Sequence, residues 1–209
     1  MRILKKDNSH ILKVYCVVHV LNLIAKKIVN NPIMDPVVKG NKTLVNYFTN
    51  AGFWRKHLTT WQKEKKNVCM GPQEHEGGFW KCLEIHCDPL IYTPSMTTTV
   101  INVIEDWDHF TANQTLVSLL KPVVDAIGNL KQAQTTLANI WKHLLHAYKS
   151  IQHVDVYSQF QPFNKHCINI LHSQTTIFHD EIYIIGFFLH PGYHHISVSK
   201  STFFEILGK

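Results

Sequence analysis

Residues 137–151 carry Leu137, Ile140, Trp141, Leu144, Leu145, Tyr148 and Ile151 in an otherwise polar stretch. Spacings of three and four place these seven apolar side chains along one side of an α-helix, and a strand, with its period of two, would scatter them over both faces. Such a helix must bury its stripe against other elements, so the segment demands a helical neighbourhood. Thr135 is the predicted N-cap of this helix, the cleanest in the chain.

Weaker versions of the same pattern recur. Residues 11–15, ILKVY, predict a short strand that leads to Cys16. Over 18–29, Val20, Leu21, Leu23, Ile24, Ile28 and Val29 fit an amphipathic helix that ends near Asn30-Asn31-Pro32. Asp35-Pro36 predicts another start, with Asp35 as N-cap and Pro36 at the first helical position. That helix would carry Val37, Leu44, Val45, Phe48, Trp54, Leu58 and Trp61, with Gly40 and Gly52 as points where it can split.

Residues 62–78 turn polar and basic, then contain Gly and Pro, and read as a junction. A short helix follows at 79–86, and Asp88-Pro89 and Thr93-Pro94 mark loops. Val100, Val103, Ile104 and Trp107 share a helical face, although the Thr run before them leaves a strand open. Asn113 is the predicted cap of a helix with Leu116, Leu119, Leu120, Val123, Val124 and Ile127, kinked at Pro122. Further helices are predicted at 161–172 and at 180–189, the latter capped by Asp180 and stopped by His190-Pro191-Gly192.

Composition narrows the class. The chain has 209 residues, 45% hydrophobic and only 17% charged, below the roughly 25% usual for soluble domains. Eleven Phe, seven Tyr and five Trp argue for a packed core. The net charge of +6 suits a polyanionic partner. Five Cys at irregular spacing, with no apolar signal run ahead of them, predict free thiols in a reducing, intracellular compartment. No apolar run approaches the roughly 18 residues of a membrane span.

Three blocks, in order, resemble the hAT superfamily of DNA transposases. Cys16-Val17-Val18-His19 followed by Leu21-Asn22-Leu23 is similar to the family's Cys/Asp-x-x-His and Leu-Asn-Leu helix. Leu116 to Ile140 resembles the helical insertion in the family's ribonuclease-H-like core, and 41–54 resembles the helix after the Cys-x-x-His block. Phe188-Leu189-His190-Pro191 with Tyr193 looks like the family's Phe-Leu-His/Asp-Pro-x-Tyr. The likeness spans about 11–195, and fungal proteins called ribonuclease-H-like look most similar.

The resemblance implies an enzyme core that cuts and joins DNA with three carboxylates and two divalent metals. It also implies that those carboxylates are missing here. The family's first two Asp lie well before Cys-x-x-His, where this chain has 15 residues with Asp7 alone, too close to match. The third lies well beyond the last block, and Glu205 is too near it. The family's Arg-Trp pair, whose Trp contacts DNA, is absent; Trp54-Arg55 has the reverse order. The expectation is a transposase-derived, catalytically inactive chain with no cofactor, nuclear or cytoplasmic, the nuclear address being implied by the resemblance alone. Residues 1–70 would be an incomplete ribonuclease-H-like core remnant and 71–209 a helical insertion-type domain. Such a remnant would expose a strand edge and apolar faces, so low stability or self-association is expected.

Candidate sites follow. Lys26, Lys27, Arg55 and Lys56, with Lys63, Lys65 and Lys66, form the basic half and can contact phosphates of DNA weakly and without sequence preference; a solvated basic surface is the equal alternative. Cys16, His19, Leu21, Asn22, Leu23, Leu189, His190 and Pro191 are the motif residues, for which a structural role is expected. Cys16 with His19 has zinc-ligand spacing, and Cys82 with Cys87 would be a second pair, but structural sites use tighter paired motifs, so no metal is assigned. Glu105, Asp106 and Asp108 are the one dense acidic cluster, with 105 and 108 on one helix face; a metal-dependent nuclease site is the alternative to the preferred reading, a solvated face beside a buried Trp107. Trp54, Trp61, Trp107 and Trp141 lie on apolar stripes and are read as core. An assembly module that uses helical faces, without a DNA role, is the competing reading.

Overall fold

The computed structural model describes residues 15–65, 76–179 and 181–193. Among these residues the protein is mainly helical, with no strand. In chain order the helices are α1 (Val17–Val29), α2 (Asp35–Asn50), α3 (Gly52–Lys65), α4 (Glu76–Cys87), α5 (Thr98–Glu105), α6 (Trp107–Leu130), α7 (Leu137–Gln152), α8 (Gln161–Thr175) and α9 (Glu181–Phe188). Short 3₁₀ turns at Pro32–Met34, Ser158–Phe160 and Thr176–His179 lead into or out of them.

The chain forms two compact units, one from residues 1–28 and 119–209, the other from 29–118. The boundary drawn at residue 70 therefore coincides with neither unit's limits. Sequence reading cuts a chain once, whereas packing here returns the chain's N-terminal segment to its C-terminal half. Ser118 ends the second unit inside α6. It is also the residue whose carbonyl Pro122 cannot bond, since Pro lacks an amide hydrogen.

The 29–118 unit is built on one aromatic-rich core. Leu44 and Phe48 of α2, Trp54 of α3, Cys82 and Leu83 of α4, Met96, and Val100 and Ile104 of α5 are buried together. Phe48 meets Phe79 edge-on at 5.0 Å. The helix predicted to run from Asp35 through Trp61 is split after Asn50, as Gly52 allowed. Gly40 does not break α2; it is buried because α6 crosses there. Asp35 is the first residue of α2 and not its cap: Asn31, one turn earlier, accepts from the Ile33 amide at 3.0 Å and starts the 3₁₀ turn. The predicted junction at 62–78 is partly helical, since α3 runs to Lys65 and α4 begins at Glu76.

Gly77 and Gly78 explain the seat of α4. A Cβ on either would come within 2.9 Å of the Trp61 ring, so the indole lies directly on the α4 backbone. Glycine's missing Cβ is used here for close approach.

In the other unit, α7 packs on α8 and α9. Ile140, Trp141, Leu144 and Ile151 of the stripe are buried, joined by Ala138 and Ala147; Leu137, Leu145 and Tyr148 are half-buried. The cap is Thr136, one residue after the predicted Thr135. Its amide donates to Asn139 Oδ1 at 2.9 Å. α8 buries Phe163, Cys167, Ile170 and Leu171, and α9 buries Tyr183 and Phe187. Tyr183 ties the start of the described chain to α9: its hydroxyl accepts from the Tyr15 amide at 2.6 Å. The strand predicted at 11–15 lies outside the described residues except for Tyr15, which precedes α1. The Asp180 cap also lies outside them.

Candidate functional site

The basic residues fall in both units. Lys26 and Lys27 are exposed in the last turn of α1, where a cation also offsets the partial negative charge of the helix end. Arg55 and Lys56 are exposed on α3, with Lys63 two turns beyond Lys56. Lys65 is described only as the end of α3, and Lys66 lies outside the described residues. Arg55 Nη1 donates to the Thr49 carbonyl at 3.3 Å. Three lysines elsewhere form exposed ion pairs: Lys39 with Asp35, Lys81 with Glu84, and Lys121 with Asp125. No carboxylate pairs with Lys26, Lys27, Arg55, Lys56 or Lys63 among the described residues.

The acidic cluster is divided by a helix break. Glu105 ends α5 and Asp106 is extended (φ −78°, ψ 94°), so Glu105 and Asp108 do not share one helix. Asp106 Oδ1 accepts from the His109 amide at 3.1 Å, which makes it the N-cap of α6. Asn113, the predicted cap, lies two turns inside that helix and instead accepts from Asn41 Nδ2 at 2.7 Å. Trp107, read as core, is 65% exposed because the break at Asp106 turns it away from the Val100–Ile104 face. Trp54 and Trp141 are buried and Trp61 is half-buried.

The two outer motif blocks belong to the same unit. Cys16 is exposed, and its carbonyl accepts the Val20 amide at the start of α1. Leu21 is completely buried, whereas His19, Asn22 and Leu23 face solvent. At the other end, Leu189 is 76% exposed. His190 Nδ1 accepts from the Gly192 amide at 3.1 Å, and its ring stacks on Tyr193 at 4.3 Å. Tyr193 also stacks on Phe187, lies under the Lys142 ammonium at 5.4 Å, and accepts from Asn139 Nδ2. The His-Pro-x-Tyr residues thus fold the turn that closes α9 onto the first turn of α7. Sequence reading missed Asn139; its signal was the Thr-x-x-Asn spacing of a cap pair.

The described thiols are of two kinds. Cys16 and Cys87 are exposed, and Cys82 and Cys167 are buried. Burial pushes the Cys82 thiol up to about 11 and Cys167 to about 12, which keeps both protonated and unreactive. Among the described residues no group of three or more His, Cys, Asp or Glu is arranged to hold a metal ion. No described helix is long and apolar enough to cross a membrane.

His109 is the one strongly buried histidine among the described residues. Its ring lies against Gly40, where a Cβ would sit 2.5 Å from Cε1, and its Nε2 has no hydrogen-bond partner. Burial lowers its pKa, and Asp106 opposes that shift. A wider groove of about 490 Å³ runs beside the end of α6, lined by Asp125, Asn129, His143 and His146. His143 has a lowered pKa from burial and from Lys142 and His146.

Neither a family model, nor a curated protein, nor a solved structure matches this chain.

Proposed function

We propose that this chain is a transposase-derived helical scaffold of the hAT type that carries no catalytic residue of its own and binds nucleic acid weakly, through phosphates and without sequence preference. The observation that carries the binding is the cluster of exposed cations on one helix. Arg55, Lys56 and Lys63 are all exposed on α3, and none of them pairs with a carboxylate among the described residues. The non-catalytic reading is supported by Asp106, which spends its carboxylate on capping α6. A metal-dependent nuclease at Glu105, Asp106 and Asp108 is correspondingly disfavoured. The transposase origin draws on the motif blocks alone.

The test is binding of a labelled oligonucleotide as a function of salt. Contacts by Arg55, Lys56 and Lys63 to three phosphates give a log–log slope of about −2 to −3. Affinity that does not change between low and high salt contradicts the reading. Retained affinity after charge removal on both α1 and α3 would do so too.

A second reading, an assembly module, rests on Leu90 and Tyr92, which are 91% and 99% exposed in the loop after α4. Monomeric sedimentation at all concentrations would remove it.

A further inference from the structure

We infer that the outer face of α3 is built for single-stranded nucleic acid in preference to duplex, with Phe53 as the stacking platform. This rests on the nucleic-acid reading above and names the class of strand. At about 100° per residue, Lys56 and Lys63 point within about 20° of each other, directly away from buried Trp54. Arg55 flanks them on one side and Phe53 on the other, about 60° around from Lys56. Lys56 and Lys63 are separated by about 10 Å along the axis, so a strand laid along α3 meets both.

Phe53 keeps part of its ring open to solvent while it packs on its neighbours. It is 37% exposed, although Trp54 beside it is completely buried. Its ring stands edge-on to Trp54 at 4.9 Å and tilts against His57 at 4.6 Å, which holds it in place at the rim of the cationic face. A duplex keeps its bases stacked inside and offers this face only phosphates, to which an aromatic ring adds nothing. An unpaired base can lie on the exposed part of the ring while its phosphate reaches Lys56. Glu64 is the carboxylate on this face, and it forms no ion pair with the lysines among the described residues.

The experiment is fluorescence anisotropy of the full chain with a labelled oligothymidine and a duplex of equal length, at two salt concentrations. The variants are F53A, F53L and K56A/K63A. F53L keeps the contact with Trp54 and removes the aromatic face, so it separates stacking from folding. The expected result is tighter binding of the single strand, weakened about tenfold by F53L with the salt slope and the duplex affinity unchanged. K56A/K63A lowers affinity for both forms and flattens the slope. Equal affinity of wild type and F53L for the single strand, or a preference for duplex, overturns the single-strand assignment and leaves phosphate binding standing. Absence of salt-sensitive binding to either form overturns both.

Discussion

Asn139 donates from Nδ2 to the Tyr193 hydroxyl at 3.3 Å, across 54 residues of sequence. The same Asn139 accepts the Thr136 amide through Oδ1. One side chain therefore caps α7 and anchors the turn after α9. Tyr193→Phe keeps the stack on His190 and removes only the hydroxyl, so it should cost about 1 kcal/mol. Asn139→Ala loses the cap as well and should cost about 2 kcal/mol. Denaturant unfolding of both variants checks the order.

Gly40 should not tolerate even alanine. In an ordinary helix interior Gly→Ala stabilises by about 0.5–1 kcal/mol. Here the new Cβ would sit 2.5 Å from Cε1 and 2.8 Å from Nδ1 of the buried His109 ring, so the ring must shift. Gly40→Ala should therefore destabilise by about 1–3 kcal/mol. Adding His109→Ala should recover part of the loss, and a double-mutant cycle reads that coupling directly.

His109 should make stability fall in mild acid. Its folded pKa lies below the ordinary histidine value because burial disfavours the charged ring. The unfolded chain therefore takes up this proton first. The contribution is intact above the unfolded value of about 6.5 and is lost as pH falls through it toward the folded one. His143 shifts in the same direction, also from burial. Thermal unfolding should show a lower midpoint at pH 5.5 than at pH 7.5, and ring-proton NMR should show His109 titrating late.

Asp106→Ala should cost about 1 kcal/mol through loss of the α6 cap. Glu105→Ala and Asp108→Ala, both exposed, should stay within about 0.5 kcal/mol. If a magnesium-dependent cleavage activity were found and abolished by Glu105→Ala or Asp108→Ala, the reading of this cluster as structural would fail.

Glu64→Gln removes the carboxylate on the cationic face of α3. It should strengthen nucleic-acid binding at low salt by a fewfold, and the gain should disappear at high salt as screening shortens. An oligonucleotide titration at the two salt concentrations measures both effects.

Helical periodicity was legible in the sequence because it is local. The spacing of Leu137 to Ile151, the apolar run after Cys16, the stop at His190-Pro191-Gly192 and the breaks at Pro-containing loops all depend on neighbours within a few residues, and the helices follow them. Caps were legible less closely: Thr136 stands one residue from Thr135, Asn31 caps the 3₁₀ turn ahead of Asp35, and Asp106 lies two turns before Asn113, because several residues near each helix start offer a side-chain oxygen and only geometry selects one. What tertiary structure alone decided were contacts between distant segments. No local pattern says that Tyr15 meets Tyr183, that Gly40 gives way to His109, or that Gly77 and Gly78 receive Trp61. Nor could periodicity tell that Trp107 is exposed, since a one-residue break at Asp106 resets the helical phase. The candidate interface divides in the same way: the sequence alone determined the number of cations, and the fold decided which of them stand unpaired on one face beside Phe53.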